Sequence, residues 1–98
     1  MFLYVDDIRT PMSDGWVIAR NYKDAIDLIK NNNINIISLD HDLGEAKSGY
    51  DIAKFLVENS IKIEQINIHT ANPVGRDNIK QLIEHYFPDT IVTTCNKI

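Results

Sequence analysis

The chain has 98 residues, of which 44% are apolar and 24% charged, and its formal net charge is −4. This length allows one small domain, which we expect to span residues 1–98. The acidic balance argues against a protein that coats a nucleic-acid duplex, because that needs a broad basic surface. A single cysteine, Cys95, excludes an internal disulfide and a thiolate metal cage. Without a membrane-length apolar run or a basic leader, we expect a cytoplasmic protein with no membrane partner.

Hydropathy patterning predicts five short strands and three helices in the order β-β-α-β-α-β-α-β. The strands are predicted over residues 2–6, 16–20, 34–39, 63–68 and 90–94. The helices are predicted to begin after the N-caps Asn21, Ser48 and Asn72, and Pro88 is predicted to stop the third helix. Ser48 and Asp51 have the spacing of a capping box, with Asp in place of Glu.

Alternation of strands and helices predicts a mostly parallel sheet with right-handed crossovers. Successive crossovers in one direction would place all three helices on one face. The opposite face would expose apolar residues such as Trp16, which is typical of a homodimer contact, and Gln65 and Asn67 are expected there in contact with water. The connection between the first two strands is short for a parallel crossover, so we expect the second strand to be antiparallel or loosely attached.

Three predicted strands run directly into polar residues with useful chemistry. The first ends at Asp6-Asp7, the central one at Asp40-His41-Asp42, and the fourth at His69-Thr70-Ala71-Asn72. In open α/β sheets, ligands bind at the carboxyl ends of the strands. If these three strands are parallel neighbours, their acidic and imidazole groups converge on one spot.

The carboxylates of Asp6, Asp7 and Asp40 would repel one another at such an edge unless a cation or protons neutralise them. Oxygen ligands of this kind suit Mg²⁺ or Mn²⁺, so these three residues are the predicted metal ligands. The alternative is that Asp6 and Asp7 only cap turns or pair with Arg9.

The same residues resemble those of response-regulator receiver domains. Asp6-Asp7 is similar to their acid pair after the first strand, Asp40 to their phosphoacceptor aspartate, Thr70-Ala71 to their switch pair, and Gly49 to the glycine that opens their third helix. The resemblance implies an abbreviated receiver fold, which is flavodoxin-like, with about five mostly parallel strands and three helices. The first and last receiver helices have no counterpart, and Lys97 is a late candidate for the receiver lysine.

A closer resemblance is to the divergent group of cyclic-phosphate-processing receiver domains. Their pattern is similar to Asp6-Asp7-x-Arg9-x-Pro11, Gly15-Trp16, Leu39-Asp40-His41-Asp42-Leu43-Gly44 and His69-Thr70-Ala71-Asn72-Pro73-x-Gly75-Arg76. The motifs occur in order over nearly the whole chain, which is more specific than any one of them alone. The resemblance implies a role in processing cyclic phosphates on nucleotides or RNA ends.

With such a substrate, His41 and His69 are the predicted general base and general acid, because imidazole titrates near neutral pH. One would activate water against the phosphodiester, and the other would protonate the leaving ribose oxygen. Asp40 and Asp42 flank His41 and complete the predicted catalytic set. The alternative for each histidine is an ordinary surface or core residue, which is our interpretation of His85.

A phosphate site is predicted where the third helix begins. Asn72 would open a helix whose N–H groups and dipole attract an anion, with Gly75 allowing close approach and Arg76 clamping the phosphate oxygens. Thr70 and Arg9 complete the predicted phosphate-binding set. The alternative is an ordinary helix cap with a solvated arginine.

Three functions are compatible with these residues. The first is a phosphodiesterase-like enzyme that processes a cyclic phosphate on a nucleotide or an RNA end. The second is a non-catalytic module that sequesters a cyclic nucleotide signal, as a viral inhibitor of host immune signalling would. The third is a phosphoaccepting receiver that uses Asp40, which the weak lysine match, the lost helices and the crowding by His41 and Asp42 disfavour.

Overall fold

The computed structural model describes residues 1–95 and forms one five-stranded parallel sheet with three helices. The strands are β1 (Phe2–Val5), β2 (Trp16–Ala19), β3 (Ile36–Leu39), β4 (Gln65–Ile68) and β5 (Ile91–Thr94), and the helices are α1 (Tyr22–Asn31), α2 (Gly49–Glu58) and α3 (Pro73–Tyr86). The strand order across the sheet is β2-β1-β3-β4-β5. The predicted fold class and element order are confirmed, and each strand is one or two residues shorter than predicted. Lys97 lies outside the described residues.

Each helix begins at its predicted N-cap. Asn21 Oδ1 accepts from the N–H three residues further on at 2.8 Å, and Asn72 Oδ1 accepts from the Gly75 N–H at 3.0 Å. Ser48 and Asp51 form the predicted capping box. These bonds satisfy N–H groups that have no partner within the helix, so they fix where the chain leaves the sheet edge. None of these helices of residues 1–95 is both long and apolar enough to cross a membrane.

The three helices cover one face of the sheet, as predicted. α2 lies between α1 and α3 and packs against both. In β1, β3 and β4, the residues that point toward the helices are fully buried and form the core with them: Leu3, Val5, Ile37, Leu39, Ile66 and Ile68. Each aliphatic side chain of this size stabilises the fold by roughly 1.5–3 kcal/mol. This face therefore holds the strands in place and sets where they end.

The prediction for the second strand is wrong, because β2 pairs in parallel with β1, beginning with Phe2 opposite Trp16. Residues 6–15 connect the two strands without a helix. A strand of four residues is only about 13 Å long, and a ten-residue segment can span roughly 33 Å. The connection is therefore long enough to return along one short strand. It is held by Arg20, which donates to two of its carbonyl oxygens, and Gly15 turns it into β2 with a φ of 95°.

The face of the sheet opposite the helices, called the open face below, carries two register rows of side chains. One row begins with Trp16 and Phe2; the other consists of Ile18, Tyr4, Ser38, Asn67 and Thr93. The expectation that Asn67 contacts water is wrong, because it is only 5% exposed. Its amide is hydrogen-bonded to both row neighbours, which removes the need for solvent. Phe2 is 42% exposed on the same face, and the homodimer through this face stays a prediction.

Candidate active site

Three carboxylates meet where β1 and β3 end. The parallel register sets Val5 beside Leu39, so the residues that follow these strands leave the sheet next to one another. Asp6, Asp7 and Asp40 each offer an oxygen, and these oxygens lie within 4.8 Å of one another. Asp6 is fully buried and Asp40 nearly so. The structure thus brings the three predicted acids together.

The Asp6 carboxylate is held by four hydrogen-bond donors. Its Oδ1 accepts from the backbone N–H groups of Ile8 at 3.0 Å and Arg9 at 2.8 Å. Its Oδ2 accepts from Arg9 Nε at 2.9 Å and from His69 Nε2 at 3.0 Å. Burial alone would raise the pKa of Asp6, but these bonds and the Arg9 charge outweigh burial and leave the pKa below its usual value. A carboxylate has about four acceptor sites, so Asp6 is ionised and fully engaged.

Arg9 links two of the three acids. In addition to its bond to Asp6, its Nη2 donates to Asp40 Oδ2 at 3.1 Å and to the carbonyl oxygen of His69 at 3.2 Å. Burial opposes the charge of Arg9, but the two carboxylates outweigh burial and raise its pKa. The alternative prediction was that Asp6 and Asp7 pair with Arg9. Arg9 does form an ion pair with Asp6, but its second partner is Asp40.

Asp7 is the acid that best fits a bound cation. Its carboxylate has no hydrogen-bond or ion-pair partner among residues 1–95. Gly44 leaves space for it, since a Cβ there would come within 2.9 Å of Asp7 Oδ2. One arginine does not neutralise three carboxylates, so the residual charge favours a divalent cation held by Asp7 and Asp40. The predicted metal site used Asp6, Asp7 and Asp40 alike. Asp6 is a poorer ligand than the other two, because hydrogen bonds already fill its acceptor sites.

His69 is fully buried on the open face and has a partner on each ring nitrogen. Nε2 meets Asp6, and Nδ1 lies 2.6 Å from Ser38 Oγ. The ring stacks on Tyr4, with centroids 4.4 Å apart and planes inclined by 7°. Burial lowers the pKa of His69, and the Asp6 carboxylate opposes this only in part. An imidazole in this position cannot reach a leaving group, which counts against the predicted role of His69 as general acid.

His41 lies beside the start of α3 and has different partners from His69. Its Nδ1 lies 3.0 Å from Asp42 Oδ1, and its side chain is 21% exposed. The ring packs on Gly75 so closely that a Cβ there would overlap it. Successive residues of an extended chain point to opposite sides, and His41 follows Asp40, whose side chain points to the open face. The two imidazoles therefore hold opposite sides of the edge, and His41 is the one that a ligand can reach.

The start of α3 is more closed than the predicted phosphate site requires. The Gly75 N–H already donates to Asn72 Oδ1, and Pro73 has no N–H. Gly75 makes room for the His41 ring rather than for an anion. Thr70 is buried, and its Oγ1 accepts from the Asn72 N–H at 3.2 Å. Three of the predicted phosphate-binding residues thus have roles in local structure.

The other two predicted phosphate-binding residues, Arg9 and Arg76, bring cationic groups to the edge. Arg76 lies on the first turn of α3 with 35% of its side chain exposed, and its Nε is 3.4 Å from Asp77. A contact of that length on an exposed side chain is weak. Arg76 can therefore turn toward a phosphate, whereas Arg9 is already fixed beside Asp40.

Sequence reasoning did not single out two residues that hold this site, Ser38 and Arg20. Ser38 interrupts the apolar run of β3 and points to the open face, where it meets His69. Arg20 follows β2 and donates to the carbonyl oxygens of Asp6 and Arg9. For Ser38, the signal in the sequence was a polar residue inside an apolar strand, since such a residue needs a buried hydrogen-bond partner.

The free energy of unfolding is expected to decrease as the pH is lowered, because His69 is buried as a neutral imidazole. Its pKa in the folded protein lies below the unfolded value of 6.5, so the unfolded chain binds the proton more readily. The stabilisation is complete above pH 6.5 and is lost as the pH falls through the folded pKa. Thermal unfolding between about pH 8 and about pH 5 checks this. His69→Gln should flatten the dependence, whereas the matched change at the exposed His85, His85→Gln, should not; equal slopes in all three proteins would contradict it.

Comparison with known proteins identifies related folds and a family. The family model of the cyclic-phosphate processing receiver domain matches residues 1–85. No curated protein matches the chain. Among solved structures, the chain is similar to a response regulator protein from Burkholderia pseudomallei described with a phosphorylated aspartic acid, a calcium ion and citrate, with 15% identity and a TM-score of 0.64. The match covers 99% of this chain and 59% of that one, so this chain spans well under two thirds of the regulator's length. The similarity shows the receiver fold.

Proposed function

The chain belongs to the family of cyclic-phosphate processing receiver domains, and from this membership we propose that it opens a cyclic phosphate of a nucleotide or RNA end by hydrolysis. The site would be the sheet edge formed by Asp7, Asp40, Arg9 and His41. The observation that carries the proposal is that a fixed cation, Arg9, and an accessible imidazole, His41, both lie next to Asp40. A phosphate ester needs both groups, one to hold its negative charge and one to activate water.

Arg9 would hold the phosphate. Its guanidinium is fixed by Asp6 and Asp40, and 38% of its side chain is exposed. A guanidinium held in place by carboxylates loses little further freedom when it binds a phosphate oxygen. Arg76, on the first turn of α3, would approach the same anion from the other side of the edge.

His41 would act as the general base. Asp42 Oδ1 lies beside Nδ1, which favours a hydrogen on Nδ1 and leaves Nε2 to accept a proton. A water molecule would give its proton to Nε2 and attack the phosphorus, and the bond from phosphorus to one ribose oxygen would break. The released oxygen would take a proton from water at the open edge, and Nε2 would give its proton back to that water. The product is a phosphate monoester with one free hydroxyl.

A divalent cation at Asp7 and Asp40 would fit this chemistry. Carboxylate oxygens are the ligands that Mg²⁺ and Mn²⁺ prefer, and either ion would neutralise charge on the phosphate. The chain's own part is to leave the Asp7 carboxylate without a competing partner among the described residues and to pair Asp40 with Arg9.

A panel of cyclic mono-, di- and oligonucleotides, read by mass change with and without Mg²⁺, tests the proposal. Wild-type protein is expected to add one water to at least one member. His41→Ala should lower this rate about a hundredfold or more, the usual contribution of a general base. His85→Ala removes an exposed histidine of the same chain and should leave the rate unchanged. Full turnover by the His41→Ala variant would rule out the proposed base.

One observation favours the second candidate, a module that binds a cyclic nucleotide without cleaving it. The burial of His69 leaves His41 as the accessible imidazole of the predicted pair, so two-histidine acid–base catalysis has lost one partner. Saturable binding to the same panel with recovery of intact ligand supports sequestration. Binding would then require Arg9 and Arg76 but be indifferent to His41→Ala.

A further inference from the structure

A chain of buried polar side chains crosses the open face and ends at the candidate site. Thr93 Oγ1 donates to Asn67 Oδ1 at 2.7 Å, and Asn67 Nδ2 donates to Ser38 Oγ at 3.0 Å. Ser38 Oγ lies 2.6 Å from His69 Nδ1, and His69 Nε2 lies 3.0 Å from Asp6 Oδ2. Ser38, His69 and Asp6 are fully buried. No step of the proposed reaction uses this series of hydrogen bonds.

The donors and acceptors of this chain allow one direction. The Asp6 carboxylate only accepts, so His69 Nε2 carries a hydrogen. Ser38 Oγ already accepts from Asn67, so its own hydrogen needs an acceptor, and His69 Nδ1 is the group that offers one. His69 is therefore a neutral imidazole with its hydrogen on Nε2. Every group in this series of hydrogen bonds is satisfied by this arrangement. The reversed direction would place a charged imidazolium at a fully buried position, which is costly.

This series of hydrogen bonds positions the Arg9 guanidinium through Asp6. Asp6 Oδ2 accepts from His69 Nε2 and from Arg9 Nε, so the position of this oxygen sets the position of the guanidinium. The carbonyl oxygen of His69 also accepts from Arg9 Nη2 at 3.2 Å, beside the bond from Nη2 to Asp40. One buried residue thus fixes the guanidinium at both of its ends.

We infer that His69 and Ser38 are positioning residues that aim the Arg9 guanidinium at the phosphate-binding edge beside Asp40. His69 transfers no proton in the reaction. The inference rests on the proposed function for the identity of the anion, the phosphate group of a cyclic ester, and on the observed contacts for the rest. His69, predicted from the sequence to be catalytic, is thus assigned a positioning role.

Two substitutions at one position separate positioning from proton transfer. In His69→Gln, the side-chain amide can place an N–H near the former Nε2 and keep the bond to Asp6; in His69→Asn, the shorter amide cannot reach it. The NMR resonance of the Arg9 Nε–H should stay as in the wild type in His69→Gln and be lost or shifted in His69→Asn. Turnover should stay within a few-fold in His69→Gln and fall about a hundredfold in His69→Asn, as misplacement of a binding group does.

Removal of single hydroxyl groups gives a second test if His69→Asn does not fold. Ser38→Ala deletes the donor to His69 Nδ1 and should perturb the Arg9 Nε–H resonance and raise KM more than it lowers kcat. Thr93→Val deletes a hydroxyl from the same row but two side chains further from His69, so the resonance and KM should stay close to wild type. Equal effects of the two changes would overturn the inference.

The NMR readout does not depend on turnover, so the two proposals fail separately. If the Arg9 resonance responds as expected but no member of the panel is cleaved, the positioning role stands and the proposed hydrolysis fails. If cleavage is found but His69→Gln and His69→Asn lose it equally with an undisturbed Arg9 resonance, His69 has a direct role and the inference is overturned.

Discussion

Asp6→Asn is expected to cost roughly 3–5 kcal/mol of folding free energy, the usual result of removing one partner from a buried charge pair. The carboxylate accepts four hydrogen bonds and is fully buried. An asparagine offers one oxygen, and its NH₂ group would face Arg9 Nε and His69 Nε2, which are both donors. At about 4–8 °C per kcal/mol for a domain of this size, the thermal midpoint should fall by more than about 12 °C. Urea unfolding followed by circular dichroism measures the free energy directly.

The neighbouring acid supplies the control. Asp7→Asn removes the same charge from a carboxylate that has no partner among residues 1–95 and faces two like charges. Its stability should equal or exceed that of the wild type, because repulsion is relieved. Stabilisation by added Mg²⁺ should be present in the wild type and absent from Asp7→Asn. An equal loss of stability in both variants would mean that the hydrogen bonds to Asp6 carry little weight.

Gly49→Ala is the second large effect, with an expected loss of about 3 kcal/mol. A Cβ at this position would overlap the Asp40 carbonyl oxygen and approach the Asp40 carbonyl carbon at 3.0 Å and His41 Cα at 3.1 Å. These atoms are backbone and cannot rotate away. The Gly49 N–H also donates to the His41 carbonyl oxygen at 2.8 Å, so a shift of α2 would pull directly on the end of β3. Urea unfolding again gives the measurement.

Gly75→Ala is the informative counterpart, because its Cβ would meet the His41 side chain rather than backbone. The ring can move, so the loss of stability should be well below that of Gly49→Ala. Cleavage should nevertheless drop, because the moved ring no longer lies where the proposed base is needed. A stable and fully active Gly75→Ala protein would show that the packing of the His41 ring against α3 has no part in the function.

The sequence predicted best what depends on neighbours along the chain. The caps at Asn21 and Asn72 follow from side-chain chemistry within three residues, and both are present. The meeting of Asp6 with Asp40 follows from strand ends and parallel order, which the hydropathy pattern contains. These features need only the fold class and local rules.

The sequence failed where the outcome depends on which way a side chain points after its strand ends. His41 and His69 both follow strands, but one lies on the helical side and the other on the open face, so they do not form a pair. Three of the four donors on Asp6 depend on the shape of the loop over residues 6–15, which no local pattern specifies, and the fourth is His69 on the open face. The direction of β2 was missed for a different reason: β1 and β2 are only four residues long, so the short connection can return along one of them.

Hydrolysis in heavy-oxygen water tests the central claim most directly. The wild-type protein is incubated with a cyclic nucleotide, with Mg²⁺ present, and the phosphate group of the product is analysed by mass spectrometry. We expect one heavy oxygen on the phosphate of a ring-opened product, at a rate that His41→Ala strongly reduces and His69→Gln largely preserves. Recovery of the intact cyclic nucleotide without label, from a protein that binds it, would contradict hydrolysis at this site.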